Sequence, residues 1–80
     1  MSDEEMMEVN FELAGRINRE ALANPTSPYA GKFVGIANGE VVIVGDQRTA
    51  TFLRLLEIEP NTERFCFLGA SRDYSVVQHV

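Results

Sequence analysis

Only one cysteine, Cys66, and one histidine, His79, occur in the 80 residues. A single thiol excludes an internal disulfide. A lone Cys with a lone His falls short of the four ligands that a structural zinc site takes. Basic residues are also few: 7 Lys and Arg face 12 Asp and Glu, for a net charge of −5. That balance argues against a nucleic-acid surface, which needs clustered cations. No apolar run approaches the roughly 20 residues that span a bilayer. The acidic start lacks the apolar core of a secretory signal. One unpaired thiol suits a reducing compartment, so a cytoplasmic location without membrane attachment is expected. Gly31, Gly35, Gly39 and Gly45 fit neither the Gly-x-x-x-x-Gly-Lys-Ser/Thr nor the Gly-x-Gly-x-x-Gly pattern, so they do not read as a phosphate loop.

What is present is ordinary for a globular chain: 45% hydrophobic and 24% charged residues. The length allows one domain. A chain this short buries only about two-thirds of its unfolded surface, so its core is thin. With disulfides and metals set aside, self-association is the remaining remedy, and a homodimer is expected.

The most informative stretch is 31–46, which reads as two strands joined at Asn38-Gly39. That turn needs positive φ at both central residues, which Asn tolerates and Gly adopts freely. A two-residue loop in regular pairing sets Ala37 against Glu40, Ile36 against Val41, Gly35 against Val42, Val34 against Ile43 and Phe33 against Val44. One face is then Val34, Ile36, Val41 and Ile43. The other carries Phe33, Gly35, Ala37, Val42 and Val44, with Glu40 at the tip. Gly35 in mid-strand marks a bulge or a close approach by another group.

Around this hairpin the chain divides into a helical 1–24, a linker over 25–31 and a core over 32–80. Met6, Met7, Phe11, Leu13, Ala14, Ile17, Ala21 and Leu22 recur at helical spacing across 3–23. Ser2 or Asp3 caps the start, and the acidic first turn complements the helix dipole. Gly15 reads as a weak point or as a close crossing. Asn24-Pro25 stops the helix. The two prolines of the linker predict a stiff, extended segment that packs the helix on its own hairpin or on another subunit. Tyr29 is expected to pack at the start of the first strand.

Asp46 is a candidate N-cap for a second helix over 47–58, with Thr49, Phe52, Leu53 and Leu56 as its stripe and Leu55 widening it. Pro60 ends it. A third strand over 63–69 points Phe65 and Phe67 one way, Cys66 and Leu68 the other. Cys66 reads as a small buried hydrophobe rather than a nucleophile, having no base nearby in the chain. Residues 75–80 suggest a short strand or docked turn. Ser71, Asp73 and His79 contain the residue types of a hydrolytic triad without a nucleophile elbow.

The expected fold is a single α+β domain, helix-strand-strand-helix-strand, with a mainly antiparallel sheet in the order 2-1-3. The second helix is expected to cover Val34, Ile36, Val41 and Ile43. The opposite face is left for the first helix or a second copy. Phe33, Val42, Val44, Leu55, Phe65 and Phe67 are the candidate interaction surface.

Residues 29–46, Tyr-Ala-Gly-Lys-Phe-Val-Gly-Ile-Ala-Asn-Gly-Glu-Val-Val-Ile-Val-Gly-Asp, resemble a family of small bacterial and archaeal domains of unknown function. Its members share a Tyr-x-Gly-Lys-aromatic-Val-Ala-Ile-x-Asp/Asn-Gly-x-Val-Val hairpin followed by a leucine-bearing helix. The likeness extends over 29–58. Ile17-Asn-Arg-Glu-Ala-Leu-Ala-Asn-Pro and Ala70-Ser-Arg-Asp-Tyr are similar to a short-protein branch of cyanobacteria and planctomycetes. Phe33 stands where tryptophan is common and Gly35 where alanine is common. The resemblance implies a fold and a prokaryotic source, and it carries no activity or catalytic residue.

Three function classes remain. The first is a non-catalytic protein-interaction or accessory module, self-associating or serving a partner encoded nearby. The second is a small-molecule binder with a pocket between helix and sheet, lined by Tyr29, Phe33, Phe52, Phe65 and Phe67. The third, an enzyme, lacks paired carboxylates, a metal cluster or an activated nucleophile. No cofactor is expected.

Overall fold

The first helix, α1 (Asp3–Ala23), begins where Ser2 and Glu5 cap each other reciprocally. The Glu5 N–H donates to Ser2 Oγ at 3.2 Å, and the Ser2 N–H donates to Glu5 Oε1 at 3.1 Å. Two otherwise orphaned donors of the first turn are satisfied in this way. The computed structural model describes residues 2–70. Beyond α1 it contains β1 (Phe33–Ala37), β2 (Glu40–Gly45), α2 (Arg48–Ile58) and β3 (Phe65–Gly69). The strands form one antiparallel sheet ordered β2-β1-β3, the α+β arrangement expected from the sequence. The segment 75–80 and the residues Ser71, Asp73 and His79 lie outside the described residues.

The linker is a run of turns, not an extended strap. Ser27 N–H donates to Asn24 O at 2.9 Å, Ala30 N–H to Ser27 O at 3.1 Å and Lys32 N–H to Tyr29 O at 3.0 Å. Pro25 and Pro28 each follow the first residue of a turn, where their fixed φ is already correct. The third turn places Gly31 at φ +75°, a value it accepts without strain. Proline stiffness therefore folds this segment instead of stretching it. The short path lays α1 on its own sheet.

The hairpin turn forms as read, with Asn38 at φ 53° and Gly39 at φ 81°. Pairing starts in the expected register, Ala37 with Glu40 and Ile36 with Val41. It then shifts: Gly35 pairs with Ile43, Val34 with Val44 and Phe33 with Gly45. Val42 is the extra residue of a β-bulge, and it moves Ile43 and Val44 to the opposite faces from those of a regular hairpin. Gly35 is the reason the irregularity fits. A Cβ there would lie 2.6 Å from Ile43 Cγ2 and 3.0 Å from Leu55 Cδ1.

Each sheet face carries its own core. Val34, Ile36, Cys66, Leu68 and Ala70 meet Ala14, Ile17 and Ala21 of α1, with Val41, Met7, Leu13 and Tyr29 at the margin. Ala37, Phe65 and Phe67 meet Leu55 of α2, flanked by Phe33, Val42, Ile43, Phe52 and Leu56. The expected assignment of helices to faces is thus reversed: α1, not α2, covers Val34, Ile36 and Val41. Both faces are covered within one chain, so no open sheet face is left for a second copy. Tyr29 and Cys66 pack as the sequence indicated.

α2 also differs in detail. Its N-cap is Gln47, without a side-chain bond, because Lys32 takes the Asp46 carboxylate in an ion pair across the hairpin base. Thr51, Phe52, Leu55 and Leu56 face the sheet, whereas Thr49 and Leu53 are exposed. The inward stripe is rotated because Thr51 packs against Gly45, where even a methyl group would collide with the threonine hydroxyl. β3 begins at Phe65 rather than 63, since Arg64 N–H closes a turn onto Asn61 O at 3.0 Å.

Candidate functional site

Asn10 is completely buried in the middle of the apolar face of α1. Its amide donates to Arg64 O at 3.0 Å, and its Oδ1 accepts from Gly39 N–H at 2.8 Å. One side chain thereby ties α1 to the hairpin turn and to the lead-in of β3. The turn is fixed from the other side as well. Asn38 N–H donates to Arg64 O at 3.0 Å, and Arg64 Nε donates to Asn38 Oδ1 at 2.7 Å. Asn38 Nδ2 donates to Glu59 Oε1 at 2.8 Å. Arg64 also pairs with Asp3 Oδ1 at 2.6 Å, closing the network back onto the start of α1.

The charges follow this geometry. The Arg64 guanidinium, hydrogen-bonded to Asp3, holds that carboxyl below its usual range, and the Glu63 side chain adds to the effect. The Asn38 amide and then the Asn61 N–H lower Glu59 in the same sense. Burial pushes the Cys66 thiol up to about 12, so it stays protonated and unreactive at neutral pH.

Beside this network lies an open groove of about 740 Å³, lined by Asp3, Glu4, Met7, Glu8 and Phe11 of α1 and by Glu63. Met7 and Phe11 supply its apolar floor, four carboxylates its rim. Phe11 is 42% exposed. The Asp3–Arg64 ion pair ties the start of α1 to the lead-in of β3 beside this groove.

Of the candidate surface read from the sequence, Phe33, Val42, Leu55, Phe65 and Phe67 come together, but as packed core beside α2 and not as an exposed face. Leu55, Phe65 and Phe67 are interior, Phe33 and Val42 are half-buried against the α2 cluster, and Val44 alone is well exposed. The aromatic residues assigned to a ligand pocket pack on each other instead. Phe33 stacks on Phe67 at 5.9 Å between centroids, and Phe52 meets Phe65 and Phe67 edge-on at 6.1 and 5.5 Å. Tyr29 lies with the α1 cluster on the other side of the sheet. Asn10 went unread, although a polar residue midway between Met7 and Ala14 on the buried stripe was a visible signal.

No protein-family model, curated protein or solved structure matches the chain. Among the described residues, no group of three or more His, Cys, Asp or Glu could hold a metal ion. No described helix is long and apolar enough to cross a membrane.

Proposed function

We propose that this chain is a small, non-catalytic, cytoplasmic interaction module that presents the α1 groove to a protein partner. The observation that carries this reading is the open groove in which half-buried Met7 and exposed Phe11 lie among four carboxylates. An apolar strip beside an ordered network of side chains is a surface suited to docking. Binding sites on rigid elements lose less conformational freedom when occupied. The partner is a protein encoded beside this one, or a second copy of the chain. Co-expression with the neighbouring gene products, followed by light scattering of the purified material, tests the reading. A complex of defined mass that is lost in Phe11→Ser supports it. A single-chain mass together with no complex would overturn it.

A further inference from the structure

The groove has a chemical character beyond being apolar. Helix α1 places Asp3, Glu4, Glu5, Glu8 and Glu12 ahead of its first cation, Arg16. The helix dipole accounts for acids in the first turn only, since its influence fades beyond that turn. It does not account for Glu8, nor for Glu63, which reaches the same rim from a different part of the chain. Asp3 is neutralised by Arg64. Glu4 and Glu8 make no ion pair among the described residues. Glu63 stands beside Asp3 in the lining of the same groove.

Resting on the docking role argued above, we propose that the groove receives a cationic segment of a partner protein. That segment presents one large apolar side chain between Lys or Arg residues. The apolar side chain lies on Met7 and Phe11, and the flanking cations meet Glu4, Glu8 and Glu63. Charge complementarity selects this occupant. Nucleic acids and anionic lipid surfaces share the sign of the rim and of the whole chain, whose net charge is −5, and are repelled. The groove is open rather than enclosed, which suits a side chain on a peptide backbone more than a buried small molecule. A second copy of this acidic chain brings the same charge to the rim.

The test is a titration of the full chain with three synthetic peptides, followed by NMR and fluorescence anisotropy. The first places one leucine between lysines, the second replaces the lysines by glutamates, and the third replaces the leucine by serine. Binding of the first alone is expected, with shifts at Met7, Glu8, Phe11 and Glu63. Affinity should fall by about tenfold or more in Glu4→Lys/Glu8→Lys, or at high salt, as partly exposed charge pairs are screened. Both substituted positions are solvent-exposed, so the variant keeps the fold, and circular dichroism checks this. Binding that ignores the charge reversal, or shifts confined to another surface, would overturn the proposal. If the lysine peptide fails while a neighbour-encoded partner binds and is lost in Phe11→Ser, the cationic chemistry falls and the docking role stands. Concentration-dependent dimerisation through the same residues would assign the groove to a second copy.

Discussion

Replacing Asn10 by alanine should be among the most damaging single changes on α1. The side chain is fully buried and makes two long-range hydrogen bonds, to Gly39 N–H at 2.8 Å and to Arg64 O at 3.0 Å. Arg64 O keeps a partner in Asn38 N–H, so the loss falls mainly on Gly39, whose donor is left half-buried. Each net hydrogen bond is worth about 0.5–1.5 kcal/mol, and an orphaned donor costs about 1–3. Water reaches Gly39 in part, which places the total at about 2–3 kcal/mol. A domain of this size has about 4–12 kcal/mol in all. The melting temperature should therefore fall by roughly 10–20 °C, measurable by calorimetry and urea unfolding. Asn10→Asp separates the hydrogen bonds from the void. A neutral carboxyl accepts from Gly39 and donates to Arg64 O, whereas the carboxylate faces that carbonyl oxygen without a proton. Burial raises the folded pKa of the new group above its unfolded value of about 3.9. The penalty relative to wild type is then absent at lower pH and grows as pH rises to the folded pKa. A loss under about 0.5 kcal/mol in the alanine variant, or a pH-independent penalty in the aspartate variant, would refute this account of Asn10.

Gly35→Ala should destabilise by about 1–3 kcal/mol in urea unfolding, because the new methyl meets Ile43 and Leu55 in a packed core. Combined with Ile43→Ala, which removes the Cγ2 that the new methyl meets, the double variant should lose less than the sum of the two single losses. Cys66 should resist an aromatic disulfide reagent in the native protein and react at the unfolding rate in denaturant, since its thiol is buried with a pKa raised to about 12. Asp3, Glu5 and Glu59 all titrate lower in the folded chain than unfolded. Their contribution is present above the unfolded carboxylate range and is lost as pH falls through the folded values, so Asp3→Asn should flatten the acid limb of a stability–pH curve.

How much of this was written locally differs by element. The bounds of α1, the Asn38-Gly39 turn and the strand order rest on short-range signals: a capping pair, a tolerance for positive φ and the run of apolar residues. The bulge does not. Val41, Val42, Ile43 and Val44 are near-equivalent side chains, so pattern alone could not show which of them doubles up. Gly35 held the clue, but its meaning depended on Leu55, which arrives from α2. Nor could two apolar sheet faces reveal which helix each receives. The groove was illegible for a related reason, as Glu63 joins Asp3 and Glu8 only once β3 lies beside α1. Asn10, by contrast, was a polar residue standing on an apolar stripe, and such a residue asks for a partner.

Val42 has a consequence for the outer border of the sheet. A strand arriving alongside β2 would need an unbroken alternation of amide hydrogens and carbonyl oxygens. The surplus residue interrupts that alternation midway, and the Glu40 carboxylate guards the end nearest the tip. Lateral accretion of further copies is thereby discouraged at the margin where such ribbons usually grow.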